Sequence, residues 1–385
     1  MTHSPDYTLS TDLVALVRQE GFAALPDAIR ILVDTAMLAE RQAYLGAAPY
    51  ERSDERRDQA NGFKPKTVQT RVGPITFAVP QVRQGPFYPT ALEKGLRSER
   101  ALTWALAEMY VQGVSTRKVS AIVEQLCGTQ VTSMQVSRAT AELDAVLAAW
   151  RARPLEEVVY LVLDARYEKV RVGGQVRDVA VLIATGVDPA GKRSVLGVSV
   201  SLAEAEVHWR EFLSSLVRRG LRGVRLITSD AHEGLAAARR AVFGGVPWQR
   251  CQFHLQQNAP AYVPKEALRA EVAGDIRAIF NAPDKPEAVA RLGRAVSKYA
   301  PLAPPLARWL EENLPEGFTV FGLPESQRRL LRTTNGLERL NKEVKRRTRV
   351  VGIFPNEASC LRLVSAILME TSEEWQAGRA YLTFN

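Results

Sequence analysis

Two apolar runs, each ending on an aspartate, constrain this chain more than any other feature. Val158-Val159-Tyr160-Leu161-Val162-Leu163 leads into Asp164, and Val224-Arg225-Leu226-Ile227-Thr228-Ser229 leads into Asp230. Short runs rich in β-branched residues read as buried strands. An acid that tops such a strand lies at the rim of a sheet, where open α/β folds place their chemistry. A third acid, Glu338, opens a basic helical stretch from Asn335 to Arg349. Three hard oxygen donors gathered at one rim suit two Mg²⁺ or Mn²⁺ ions, which activate a water or a 3′-hydroxyl and stabilise a leaving oxyanion in phosphoryl transfer. The expected chemistry is therefore of the nuclease or strand-transfer type.

The order of elements around these acids gives the fold class. After Pro154 the sequence predicts strands over 157–164, 167–173, 178–186 and 194–201, then a helix over 204–219, a strand over 224–229, a helix from Gly234 and a short strand near 246–250. Several strands followed by alternating helices and strands predict a mixed α/β sheet covered by helices. Residues 255–330 read as helical and punctuated by proline. The Glu338 helix and an amphipathic segment, Ala358 to Met369, follow.

The first 150 residues have a different texture. Residues 9–46 repeat apolar side chains near the helical period, with Pro26 expected to break the run. Tyr50 to Asp58 reads as a charged linker, and two short β pieces follow, Thr67 to Val72 and Ile75 to Val79, with a turn expected at Gly73-Pro74. Residues 98–150 return to helix in three pieces. Ser115-Thr116 caps the second, Gly128 ends it, and Thr132-Ser133 caps a third helix from Met134 to Trp150. Helix, glycine-containing turn and capped helix outline a helix-turn-helix, with Gln135 and Arg138 on one face as candidate DNA contacts. Two ordinary packed helices give the same outline.

Charge points to a polyanionic partner. The 385 residues include 51 basic and 42 acidic ones, a net charge of +9, and the excess is concentrated where Glu338 lies. Between Arg332 and Arg349 seven basic residues face two acids, a footprint for a phosphate backbone. Glu338, Lys342, Lys345 and Arg349 fall on one helical face, while Leu337, Leu340 and Val344 form a separate apolar stripe. Arg339 and Arg346 add to the candidate DNA-binding set. Three distant cysteines argue against a disulfide framework. With no signal-like leader and no apolar run near the roughly 20 residues of a membrane span, a cytoplasmic, DNA-facing protein is expected.

Three tracts carry a resemblance. Leu226-Ile-Thr-Ser-Asp-Ala-His-Glu-Gly-Leu235, Trp248-Gln-Arg-Cys-Gln-Phe-His254 and the long run from Thr333 to Asn356 resemble the DDE transposases of the Mutator superfamily, in its bacterial insertion-sequence branch. Weaker signatures, Glu40 to Gly46, Asn61-Gly62, Gly73 to Pro89 and Gly113 to Thr116, extend the likeness nearly end to end. The resemblance implies a ribonuclease-H-like catalytic domain, with Asp164, Asp230 and Glu338 as catalytic and metal-binding residues for two Mg²⁺ or Mn²⁺ ions. It implies an all-helical insertion between the last strand and the glutamate helix, and a motif near the active site at Cys251 and His254.

The domains expected on this basis are an N-terminal helical region (1–60), a small β-containing region (61–97) and a helix-turn-helix (98–150). A catalytic domain (155–254 and 331–385) follows, interrupted by the helical insertion (255–330). The expected function is binding of terminal inverted repeats, metal-dependent cleavage and strand transfer, by a homodimer or larger assembly on double-stranded DNA. A catalytically silent DNA-binding regulator is the alternative, and three intact acids argue against it.

Each singled-out residue also has a plainer reading. Asp164 fits a strand-end turn, Ser229-Asp230 a helix cap, and Asn335-x-x-Glu338 a capping box. His232 fits a structural role. Cys251-x-x-His254 has the spacing of half a zinc site, but no second pair accompanies it. Trp209, Trp248 and Trp309 suit core packing as well as stacking on an unpaired base.

Overall fold

The structure is a computed structural model that describes residues 5–47, 56–92, 100–127 and 130–384. The expected linker over 50–58 and the helix end at Gly128 fall largely or wholly outside the described residues. The chain divides into two compact units, Met1–Glu142 and Leu143–Asn385.

The first unit begins with α1 (Pro5–Glu20) and α2 (Leu25–Leu45), separated by a 3₁₀ turn at Gly21–Ala24. Pro26 does not break the run. It sits in the first turn of α2, where its missing N–H costs nothing, and the break falls at Gly21, whose φ is 60°. Strands β1 (Ala60–Thr70) and β2 (Gly73–Val82) form an antiparallel hairpin in which Thr70 pairs with Gly73. The turn is therefore Arg71-Val72 rather than Gly73-Pro74, held by Thr70 Oγ1, which donates to Gly73 O at 2.6 Å and accepts from Val72 N at 3.2 Å. Met37 of α2 packs with Val68, Ile75, Phe77 and Val79 of the hairpin.

Helices α3 (Arg100–Val111), α4 (Thr116–Cys127) and α5 (Ser133–Ala141) close around Leu102, Leu106, Val119, Val123 and Val136. Both expected caps form. Lys118 N donates to Ser115 Oγ at 3.3 Å, and Thr132 and Gln135 make a reciprocal capping box. The third helix does not run on to Trp150. It ends at Ala141, and its continuation α6 (Asp144–Ala152) belongs to the second unit. There Arg362 pairs with Asp144 at 2.7 Å and Arg151 donates to Ser365 at 2.9 Å.

The second unit holds a five-stranded mixed sheet. In chain order come β3 (Tyr160–Val172), β4 (Gln175–Val187), β5 (Arg193–Ser201), α7 (Glu206–Arg218), β6 (Leu226–Ser229), α8 (Glu233–Val242) and β7 (Trp248–Arg250). The strand order is β5-β4-β3-β6-β7, with β3, β4 and β5 antiparallel and β6 and β7 parallel to β3. The segments expected as two strands, 157–164 and 167–173, are one. β4 pairs with β3 from Tyr160↔Val187 to Val172↔Gln175, so the ladder carries the strand past Asp164. The hairpin closes on Gly173-Gly174, both with positive φ, as a two-residue loop between twisted strands requires. Leu161, Leu163 and Leu182 pack against Trp209, Phe212, Leu213 and Leu216 of α7.

The remaining elements are α9 (Gln252–Asn258), α10 (Glu266–Phe280), α11 (Lys285–Tyr299), α12 (Pro304–Asn313), α13 (Glu325–Leu331), α14 (Asn335–Thr348) and α15 (Glu357–Ala377). Residues 255–330 contain no strand and build their own core from Ile276, Leu292, Tyr299, Leu306, Leu310 and Phe318. α15 packs along β5, where Ser372 Oγ accepts from Val195 N at 3.1 Å. Among the described residues no helix is long and apolar enough to cross a membrane.

Candidate active site

Asp164 sits inside β3 but two residues beyond the last pairing of β3 with β6, which covers only Tyr160 to Val162. The parallel half of the sheet stops there, so the side chain stands at the edge that β6 leaves open. Asn341 Nδ2 of α14 donates to Asp164 Oδ2 at 2.8 Å. Burial first, with smaller help from the nearby charges of Glu338 and Asp230, pushes the carboxyl up to about 7 against the pull of His254. An acid raised by burial and by two other acids is the electrostatic signature of converging carboxylates.

Asp230 follows β6 directly, and its Oδ1 accepts from Ala231 N at 2.7 Å. It does not cap the next helix: His232 occupies the N-cap of α8 without a side-chain cap bond. His232 Nδ1 lies 3.8 Å from Glu204 Oε2, with its ring partly exposed.

Glu338 lies in the first turn of α14, and the capping box read at Asn335-x-x-Glu338 is absent. Thr334 is the N-cap, and Glu338 contributes only its backbone N–H to Thr334 O, at 2.9 Å. Its Oε1 is buried without a hydrogen-bond partner. Burial raises the carboxyl, opposed by the positive charges of His254 and Lys342. The helix is fixed against β3 by polar contacts. Arg166 donates to Asn341 O and pairs with Glu168 at 2.5 Å, and Thr348 Oγ1 donates to Glu168 at 2.9 Å. Leu337, Leu340 and Val344 are buried, so the helix is held by an apolar stripe on one side and these contacts on another.

Cys251, at the N-cap of α9, and His254 complete the cluster. Thr334 N donates to the Cys251 Sγ at 3.3 Å, and the Thr334 hydroxyl lies 3.4 Å from it. The Cys251 thiol beside His254 holds the imidazole up at about 9, against burial and with help from Asp230 and Asp164. Burial raises the thiol, but His254 and Thr334 together bring it below its ordinary value. Among the described residues, Cys251, His254 and Glu338 are the one set of three ligand atoms that lies within 4.8 Å of one another. Spacing alone found the pair but missed that Glu338 joins it, because the two segments are more than eighty residues apart in sequence.

The expected DNA contacts fall into separate groups. Lys342, Lys345 and Arg349 are exposed on α14, and among the described residues no carboxylate pairs with them. Arg346 is exposed but bonded to Glu343 at 2.7 Å. Arg339 is exposed on a different side of the helix, where it lines a cavity. In the first unit Arg138 is exposed, its guanidinium 3.8 Å from Met134 Sδ, while the Gln135 side chain is engaged in the capping box. The three tryptophans are packed. Trp209 is fully buried, Trp309 stacks on Tyr262, and Trp248 donates to Ser229 Oγ at 3.0 Å beneath Arg239. Sequence reasoning missed Asn341, Arg166 and Thr334. The first falls three residues after Glu338, which puts it on the neighbouring helical face and gave a usable signal.

Comparison with known proteins agrees with this architecture. Residues 7–378 match the family described as transposase, Mutator family. The chain is 57% identical to the transposase for insertion sequence element IS406 of Burkholderia multivorans, over 96% of each chain. It is 44% identical to the transposase for ISRM5 of Rhizobium meliloti, over 94% of this chain and 92% of that one. It is 38% identical to the transposase for IS256 in transposon Tn4001 of Staphylococcus aureus, over 90% of each. With nearly the whole chain covered in each case, this protein belongs to the Mutator family of transposases.

Proposed function

We propose that this transposase binds the terminal inverted repeats of its own insertion sequence, cuts DNA at the element's ends and joins the freed 3′-hydroxyl to target DNA. Asp164, Asp230 and Glu338 are the catalytic acids. What supports this reading is that β3, the end of β6 and the first turn of α14 bring three acids near enough for the charges of Glu338 and Asp230 to act on Asp164. Burial above all raises Asp164 to about 7, with smaller contributions from the charges of Glu338 and Asp230, and Glu338 Oε1 has no partner. The strand order β5-β4-β3-β6-β7, with three antiparallel strands continued by two parallel ones, supports a ribonuclease-H-like domain. Residues 255–330 are then its helical insertion.

The donor set fits divalent cations. Three carboxylates with an orphaned oxygen among them suit hard ions of high charge, and Asp164, Asp230 and Glu338 would hold two Mg²⁺ or Mn²⁺. When bound, these ions supply the positive charge that activates the attacking oxygen and stabilises the leaving one. The protein's own part is positional. Asn341 fixes the orientation of Asp164, and Arg166 and Thr348 fix α14, so Glu338 meets the aspartates at a set distance. Lys342, Lys345 and Arg349 hold the DNA backbone beside the acids, and α5 with Arg138 reads the repeat as part of a helix-turn-helix. A dimer or larger assembly holds two ends together for joining.

The test is to incubate the protein with DNA carrying one end of its element and Mg²⁺, and to map the nicks. Cleavage at the element boundary is expected. Asp164→Asn, Asp230→Asn and Glu338→Gln should each lower it at least a thousandfold while repeat binding stays within about threefold. Near wild-type cutting by any one variant would remove that residue from the site.

A further inference from the structure

On the side of α14 away from Glu338 lies a cavity of about 470 Å³, walled by α14, α15 and the start of β5. Its most unusual member is Arg193. The guanidinium carbon lies 3.4 Å from the centre of the Trp375 ring and 4.6 Å from that of Tyr381, so the group is held between two aromatic faces. Its Nε is buried without a partner. One Nη lies so close to the backbone of Gly336 that an added Cβ there would meet it at 2.6 Å.

Arg339 lines the same cavity, near enough that its charge works against that of Arg193. Among the described residues no carboxylate or carbonyl accepts from either guanidinium. The acids of the cavity do not serve them: Glu343 is bonded to Arg346 and Arg347, and Glu370 to Arg347. Glu374 remains, exposed at the mouth. Two repelling guanidiniums, one immobilised by stacking, make a site suited to an anion. Such planar forks suit phosphate oxygens, and an arginine set in place in advance loses little entropy on binding.

We infer that the Arg193–Arg339 cavity binds a backbone phosphate of a single DNA strand. The inference rests on the proposed function for its choice of anion. Glu338 and Arg339 are neighbours on different faces of one helical turn. The aromatic faces that flank Arg193 also give an adjacent base a surface to stack on.

The test is direct binding of a 5′-phosphorylated thymidine tetranucleotide to the full chain across a salt series, followed by the change in tryptophan fluorescence. Wild type should bind with a signal that disappears in Trp375→Phe, because Trp375 lies against the occupied guanidinium. Arg339→Gln should weaken binding about tenfold and flatten the log–log salt slope by about 0.7, the value for one lost contact to single-stranded DNA. Arg193→Gln should do the same. If it misfolds for want of its aromatic packing, the exposed Arg339 still decides the matter. Thymidine monophosphate should bind more weakly, and equal affinity would point to a free nucleotide and overturn the strand assignment. An unchanged slope and affinity in Arg339→Gln, or a fluorescence change that persists in Trp375→Phe, would overturn the site itself. None of these results depends on cleavage, so failure here leaves the nick-mapping test to judge the proposed function separately.

Discussion

Glu343 and Glu338 lie five residues apart on one helix and meet opposite environments. The Glu343 carboxyl is held down at about 2, first by its hydrogen bonds to Arg346 and then, against some burial, by Arg347. Glu338 is raised by burial and has an unpartnered oxygen. The paired acid is a structural clamp and the unpaired one is free for chemistry. The pH consequence of the clamp has a definite sign. A carboxylate whose pKa is lowered on folding contributes stability that is present above its ordinary value of 4.5 and is lost as pH falls toward 2. Glu343→Gln should therefore lower the melting temperature at pH 6, and the gap to wild type should narrow between pH 4.5 and 2.5. The exposure of Arg346 and the partial exposure of Glu343 keep the effect to a few degrees. A gap that stays constant with pH, measured by thermal melts, would show that the clamp adds nothing through its charge.

Helix α14 shows how much an element's pattern reveals and where it stops. The buried stripe of Leu337, Leu340 and Val344 and the exposed Lys342, Lys345 and Arg349 follow directly from the helical period, and the structure has both. The cap was misread because Thr334 is committed to Cys251, an arrangement that only the tertiary fold creates. The two strands read around Asp164 are one for a similar reason: the ladder with β4, not the local run of apolar residues, sets where β3 ends. Pro26 was taken as a break because proline stops helices from within, yet the same ring suits a first turn. Local pattern is therefore reliable for faces and less so for ends, which are fixed by partners far away in sequence. If the exposed face of α14 grips DNA, Lys342→Ala and Lys345→Ala should weaken binding to all duplexes alike. Each should lower the log–log salt slope by about 0.9. An unchanged slope in a filter-binding salt series would leave that face as solvated surface. Leu340→Ala, by contrast, should cost about 2–5 kcal/mol of stability through the cavity it leaves, read by chemical denaturation.

Across the whole molecule, the order of predicted strands and helices was enough to predict a mixed α/β sheet, and the proline-punctuated pattern predicted the helical segment 255–330, which has its own core. The Cys251–His254 pair was the hardest feature to interpret, since its third neighbour, Glu338, arrives from beyond that segment. A structural zinc needs four ligands, whereas this cluster offers three, one of which, Glu338, belongs to the acids in the proposed site. The purified chain should therefore contain no stoichiometric zinc by elemental analysis. EDTA should stop cleavage while moving the melting temperature by less than about 2 °C. One zinc per chain with a large fall on chelation would make this cluster a structural metal site instead.

The long path from Asp230 to Glu338 also has a consequence in time. Chains are synthesised from the N-terminus at roughly 5–20 residues per second. The first unit ends at Glu142 and the third acid lies about two hundred residues later, so roughly 10–40 s of synthesis separate them. During that interval the ribosome carries a chain whose first unit is already made and whose third acid is still missing. On the proposed function, any chain that stops in this window would carry the repeat-reading helices without the third acid, and would compete with its full-length siblings for the element's ends.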